Sequence, residues 1–184
     1  NIKNFDLKKT FECGQCFRWK RQEDGSYKGI AVGKILTVRK VGDDVELERT
    51  HINDFRRIRC QYFDLYRDYD EINERIAKDD VMKEVIKFGD GIRILNQNLV
   101  EVIISFIISA NNTIERIRDS IEKLCTNYGD KIYTLQGFGY AFPSLDKLSN
   151  ASVEDVAKCK VGFRSRYIVE SAIIGVRMKY LTID

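Results

Sequence analysis

Two short stretches concentrate groups able to grip a planar, hydrogen-bonding ligand. Cys13-Gly14-Gln15-Cys16-Phe17-Arg18-Trp19 sets a glycine beside an amide, a guanidinium and two aromatic rings. Ser109-Ala110-Asn111-Asn112-Thr113-Ile114-Glu115-Arg116 sets two amides and a guanidinium at the end of an apolar run. A glycine in a strand marks either a bulge or a place where something approaches the backbone closely. In the second case its carbonyl is open to a flat ligand. Consecutive asparagines have an ordinary use as helix terminators, but an amide also offers a donor and an acceptor and can read a base edge. Arg116 falls in the first turn of the next expected helix, where the dipole disfavours a cation. That points to an anionic or acceptor-rich partner, or to a pair with Glu115 or Asp119. Phe17 and Trp19 share one strand face, as core aromatics do. Arg18 lies on the other face, as a structural pair or a surface charge.

A third window, Lys158-Cys159-Lys160-Val161-Gly162-Phe163-Arg164-Ser165-Arg166-Tyr167, interleaves cations with rings. Guanidinium groups reach phosphates or base acceptors and a ring can wedge into a stack. The alternative is a solvated helix start with Phe163 and Tyr167 turned inward. The Cys13–Cys16 spacing raises a metal or redox reading. A zinc site needs two further ligands, His51 is the single histidine, and the other cysteines are isolated. The pair therefore reads as two thiols on a strand or turn, with no metal expected.

The elements that must position these groups follow from patterning. The 184 residues are 43% hydrophobic and 32% charged with one proline, which suits a globular protein of one or two small domains. The net charge of +3 permits a nucleic-acid partner without arguing for one, so placement of charge must decide. Five cysteines and no targeting-like segment read as reduced thiols in an intracellular protein. A start at Asn1 without Met suggests trimming, processing or a fragment. The apolar run 99–108 is too short to cross a bilayer, carries Glu101, and reads as a helix buried on most sides.

Residues 15–20, 27–31, 35–39 and 45–48 are β-prone, separated by turn signals at Asp24-Gly25, Val32-Gly33 and Gly42-Asp43-Asp44. From Asn53 the period turns helical, with Ile72, Ile76, Val81, Val85 and Ile86 in step. A break falls at Phe88-Gly89-Asp90-Gly91, and the chain beyond it reads as all-helical. Ile114, Ile117, Ile121 and Leu124 mark one helix face, which Tyr128-Gly129 ends. Phe142-Pro143-Ser144-Leu145 opens a short helix, Ser152 with Asp155 resembles a capping box, and a last helix runs from Arg164 to about Tyr180. The expected class is α+β. A small twisted antiparallel sheet with helices occupies 1–88, and the first part of a helical domain occupies 89–184.

Five ordered motifs make this chain similar to the 8-oxoguanine DNA glycosylases. They are Gly14-Gln15-Cys16-Phe17-Arg18-Trp19, Gly91-Ile92-Arg93-Ile94-Leu95-Asn96-Gln97, Ile108-Ser109-Ala110-Asn111-Asn112, Phe142-Pro143-Ser144-Leu145 and Gly162-Phe163-Arg164-Ser165-Arg166-Tyr167. The resemblance runs from about Phe5 to Tyr180. It implies a small antiparallel α+β domain followed by a helix-hairpin-helix glycosylase domain. It also implies a base-excision repair enzyme, a glycosylase and AP lyase that flips out 8-oxoguanine opposite cytosine.

The resemblance implies roles as well. Gly14 matches the glycine whose carbonyl accepts from the lesion. Oxidation places a hydrogen on a purine nitrogen that is an acceptor in guanine, so a fixed carbonyl attracts the lesion and repels guanine. A misplaced buried polar group costs about 1–3 kcal/mol. Asn111, Arg116 and Arg164 match the residues that bond the orphaned cytosine. Phe163 matches a wedging aromatic, often Tyr elsewhere, and Asn112 a second amide near the helix gap. The partner implied is double-stranded DNA carrying 8-oxoguanine opposite cytosine, bound by a monomer without cofactor and without membrane attachment. The compartment would be the nucleus in a eukaryote and the cytoplasm or nucleoid otherwise.

Leu99 stands where the family usually has proline, and Cys16 where it often has serine. The family's catalytic lysine, in its hairpin, and its catalytic aspartate would fall beyond Asp184, so residues 1–184 alone are expected to be inactive and marginally stable. Two other readings stay open: a non-catalytic module that binds damaged DNA, and an alkylated-purine glycosylase of the same superfamily.

Overall fold

The computed structural model describes residues 5–42, 44–48, 53, 55–134 and 137–181. His51 and the Asp43 of one expected turn lie outside the described residues. The chain divides into two compact units, one of residues 1–32 and 36–97, the other of residues 33–35 and 98–184.

The first unit opens with helix α1 (Leu7–Glu12), capped by Asp6, whose side chain accepts from Lys9 N at 2.9 Å. A four-stranded sheet in the order β1-β2-β3-β4 follows, from Trp19–Arg21, Tyr27–Ala31, Lys34–Val41 and Asp44–Leu47. The pairs β1–β2 and β3–β4 are antiparallel. The second strand covers the expected span 27–31. The first does not cover 15–20: residues 13–18 form bends after α1, because this stretch bonds to a distant segment instead of to a neighbouring strand.

Apolar side chains of α1 and the sheet close a core that includes Phe11, Trp19, Tyr27, Val38, Phe63 and Leu95. Trp19 stacks on Phe11 with ring centres 4.3 Å apart, and its indole N–H donates to the Tyr62 hydroxyl at 3.1 Å. Gly29 lies opposite Trp19 in the register, and a Cβ there would stand 2.5 Å from the indole. Arg18 is buried and is not the surface charge that its strand position allowed.

A π-helical turn at Phe55–Arg59 leads into the short helix α2 (Cys60–Tyr62). Helices α3 (Tyr69–Ile76) and α4 (Asp80–Gly89) realise the helical period, each with an aspartate N-cap, and neither carries a fully buried residue.

The second unit is helical, with one exception that periodicity did not supply. Helix α5 (Leu99–Ser109) and helix α6 (Ile114–Tyr128) are followed by a two-stranded hairpin, β5 (Lys131–Thr134) with β6 (Gly137–Tyr140). Then come α7 (Leu145–Ser149), α8 (Val153–Val156), a π-helical turn at Ala157–Val161, and α9 (Arg164–Leu181). Ser144 and Ser152 cap α7 and α8 as their positions suggested. Ile117, Ile121 and Leu124 of α6 are buried with Val156, Val161 and Ile168. Helix α5 departs from expectation. Ile104, Ser105 and Ile108 are buried, while Leu99 and Phe106 are 70% and 76% exposed. Its apolar composition is all-round, but its packing within the described residues is one-sided.

Candidate nucleic-acid interface

The two asparagines and two arginines are placed by the gap between α5 and α6 and by the start of α9. Helix α5 ends at Ser109, and Asn111 adopts φ +48°, a left-handed conformation that asparagine tolerates better than most residues. Asn112 uses its whole amide to hold this gap. Its Nδ2 donates to Ile108 O at 3.1 Å and its Oδ1 accepts from Thr113 N at 3.0 Å. Thr113 caps α6 through the backbone N–H of Arg116. Asn111 differs: its exposed side chain has no partner among the described residues, and its carbonyl accepts from Arg164 Nη2 at 3.3 Å.

Arg164, at the first position of α9, reaches back to that gap. Its Nη2 also donates to Ala110 O, and its Nη1 to Val161 O at 3.4 Å. Its Nε is buried without a hydrogen-bond partner. Arg116 is exposed, and its guanidinium makes no hydrogen bond or ion pair among the described residues. The pairing of Arg116 with Asp119 that the sequence allowed does not form. Asp119 takes Lys123 and, at 3.1 Å, Lys160. Hydrogen bonds from Lys123 and then Lys160 hold the Asp119 carboxyl below its ordinary range.

These side chains enclose a cleft of about 320 Å³ lined by Asn112, Arg116, Asp119, Ser120, Lys160, Gly162 and Arg164. Arg116, Arg164 and Asn112 are thus brought together, and Asn111 joins them through its carbonyl. Asp119, which the sequence offered only as a partner for Arg116, and Lys160, named only within the basic window, meet here as an ion pair that sequence did not assign. Asp119 lies one turn beyond Arg116 on α6, a spacing that carries the signal. Lys160 adopts φ +62°, a backbone state no residue pattern announces, and its carbonyl accepts from Ser120 Oγ at 3.0 Å.

The rings of the third window face outward. Phe163 is 72% exposed and meets Tyr167 edge to face at 6.4 Å between centres. The inward arrangement is therefore excluded. The Arg164 guanidinium carbon lies 4.6 Å from the Phe163 ring centre, a cation–π contact that braces the exposed ring.

Gly14 belongs to the first unit. It sits in the bend after α1, not in a strand, with φ +90°. A Cβ there would meet nothing within 4 Å, so the backbone conformation demands the glycine and the space beside it is open. No hydrogen bond to its carbonyl forms among the described residues. Cys13 is exposed and Cys16 buried, and both thiols bond to α1 carbonyls. No helix among the described residues is long and apolar enough to cross a membrane.

Two family models divide the chain. The model for the N-terminal domain of 8-oxoguanine DNA glycosylase matches residues 1–103. The model for the HhH-GPD superfamily of base excision DNA repair proteins matches residues 104–182. The N-glycosylase/DNA lyase OGG1 of Arabidopsis thaliana is 32% identical over 175 residues, covering 86% of this chain and 45% of that protein. A solved structure of MBOgg1 in complex with a low affinity DNA ligand has a TM-score of 0.92 at 45% identity, covering 97% of this chain and 62% of that one. A Clostridium acetobutylicum 8-oxoguanine glycosylase/lyase has a TM-score of 0.92 at 42% identity with the same coverage. Its crystal structure holds double-stranded DNA with cytosine opposite 8-oxoguanine. The chain therefore spans about half to two-thirds of the length of these relatives.

Proposed function

Since the chain belongs to the 8-oxoguanine DNA glycosylase family, we propose that it is the recognition portion of a base-excision repair N-glycosylase and DNA lyase acting on 8-oxoguanine opposite cytosine. The observation that carries this reading is the cleft where an unpaired Arg116 and a partly paired Arg164 converge beside an exposed Phe163. Cytosine presents two acceptors and one amino donor on its pairing edge. Two guanidinium groups supply donors, and the free Asn111 amide supplies the acceptor. Phe163 fills the stack beside the emptied position, braced by Arg164. Asn112 shapes the gap and does not read a base, because both ends of its amide are engaged.

The open carbonyl of Gly14 reads the lesion. It accepts the hydrogen that oxidation adds to the purine and faces an acceptor when the base is undamaged guanine. The Clostridium relative was solved on DNA of this lesion and opposite base, which supports the substrate reading.

In this reading residues 1–184 supply recognition, and the lysines nearest the cleft do not suit the covalent step. A lysine nucleophile must lose its proton near neutral pH, which needs a lowered pKa. Lys123 and Lys158 are pushed the other way, by the hydrogen bonds they donate to Asp119 and Asp155. Lys160 is tied to Asp119. The protein acts as a monomer on double-stranded DNA, without cofactor.

Borohydride trapping on an 8-oxoguanine:cytosine duplex, beside binding to the same duplex and to a guanine:cytosine control, tests this. Residues 1–184 should prefer the lesion duplex without forming the trapped adduct. Efficient trapping overturns the division of labour, and equal binding to both duplexes overturns the lesion reading.

A further inference from the structure

The Gly91–Gln97 motif has no part in the site as described, yet this irregular segment is hydrogen-bonded along most of its length. Its backbone alternates. On one side, Gly91 O accepts from Asp6 N at 2.7 Å, Arg93 N donates to Thr10 Oγ1 at 3.2 Å, and Leu95 N donates to Gln15 Oε1 at 2.9 Å. On the other, Ile94 N donates to the Tyr69 hydroxyl at 2.8 Å and Asn96 N to Tyr62 O at 2.8 Å. The segment behaves as a strand whose partners are a helix and scattered groups instead of another strand.

Gln15 is where this spine meets the bend that carries Gly14. Its Nε2 donates to Thr10 O at 2.9 Å and to Arg93 O at 2.8 Å, and its Oε1 accepts from Leu95 N. Its own carbonyl accepts from Gln97 Nε2 at 2.7 Å. The residue following Gly14 is therefore fixed at both its side chain and its carbonyl. Gly14 itself, at φ +90° with open space around it, has nothing of its own to hold its peptide plane. A glycine samples more backbone states than any other residue, so the direction of its carbonyl is set by its neighbours' anchorage.

We infer that Gln15 and Gln97 are positioning residues, a glutamine clamp that aims the Gly14 carbonyl and so sets discrimination between a damaged and an undamaged purine. The inference rests on the proposed role of Gly14. The clamp touches no base. It converts a mobile acceptor into a directed one, and a directed acceptor is needed only for the partner that presents a hydrogen. Loosening it should spare contacts to undamaged DNA and cut the preference for the lesion.

The test compares Gln97→Ala and Gln15→Glu with the unaltered chain, by equilibrium binding to 8-oxoguanine:cytosine and guanine:cytosine duplexes. Gln97→Ala removes only the bond to the Gln15 carbonyl. Gln15→Glu keeps the shape and replaces the Nε2 donor by an acceptor facing two carbonyls. Losing one such bond should lower the lesion-to-guanine affinity ratio about three- to tenfold, with affinity for the undamaged duplex unchanged. Circular dichroism melts accompany both variants, and Gln97→Ala decides the matter if Gln15→Glu fails to fold. Variants that keep the full ratio overturn the clamp while leaving the lesion reading intact. An unaltered chain with no preference overturns the lesion reading and the clamp's purpose with it. Parallel loss of affinity for both duplexes assigns the glutamines to fold stability alone and overturns the inference.

Discussion

The guanidinium of Arg164 stands 4.6 Å from the ring centre of Phe163 while its Nη2 donates to the carbonyls of Ala110 and Asn111. One side chain thus couples the exposed ring at the head of α9 to the gap that ends α5. The ring, the gap and the cleft should respond together when Arg164 is changed, and separately when the others are.

Arg164→Ala should abolish the preference for cytosine over other bases opposite the lesion. Each well-made bidentate contact to a base carries about 1–3 kcal/mol of discrimination. Arg164→Lys should not restore it, because an ammonium cannot reach two gap carbonyls and a base with one planar fork. Binding to duplexes with each of the four opposite bases checks this. Uniform weakening with unchanged preference would make Arg164 a phosphate contact.

Phe163→Ala should leave the fold intact, because the ring is largely exposed and surface truncations usually stay within about 0.5 kcal/mol. The same change should weaken binding to the lesion duplex and reduce unstacking beside it, read by a fluorescent base analogue placed next to the lesion. A thermal melt that drops sharply would instead place the ring in the fold's support.

Trp19→Ala should destabilise the first unit by about 3–5 kcal/mol, the usual cost of emptying a large aromatic site. Trp19 is 2% exposed, stacked on Phe11 and bonded to Tyr62. Gly29→Ala should also destabilise, by about 1–3 kcal/mol, since the added methyl collides with the indole. Urea titration followed by tryptophan fluorescence for the second variant, and by circular dichroism for both, measures these.

Stability should fall as pH rises above about 10. Burial, reinforced by the hydrogen bond to Glu12, raises the Tyr27 hydroxyl well above its ordinary 10.0. Burial likewise raises Tyr69, which also donates to Asp64. Above pH 10 the unfolded chain releases these protons while the folded chain keeps them. The unfolded state then binds fewer protons, and stability declines with pH. The stabilisation is complete below pH 10 and lost as pH climbs toward the folded values. Tyr27→Phe should flatten this alkaline decline in denaturant midpoints measured from pH 8 to 11.

Much of the local structure was legible in the sequence because local chemistry fixes it. β-Prone residues between two turn signals marked the strand at 27–31, and the serines at 144 and 152 marked helix starts through hydroxyls that accept from the first-turn N–H groups. Of the strand expected over 15–20 only 19–20 form, because Gln15 is bonded to residues 10, 93, 95 and 97 instead of to a neighbouring strand.

The sequence by itself determined which groups exist: a glycine able to take φ +90°, two arginines, an amide pair and an exposed ring's identity. Only the tertiary structure decided which of them are free. Asn111 and Asn112 are chemically identical, yet one amide closes on its own helix end and the other has no partner among the described residues. Arg116 and Arg164 share a cleft because α9 returns to the α5–α6 gap, and Asp119 is neutralised by Lys160 from a distant turn. Hydrogen-bond allocation is a competition among every donor and acceptor that folding brings within about 3 Å, and the winners are set by chain closure over long separations, not by the residues adjacent in sequence.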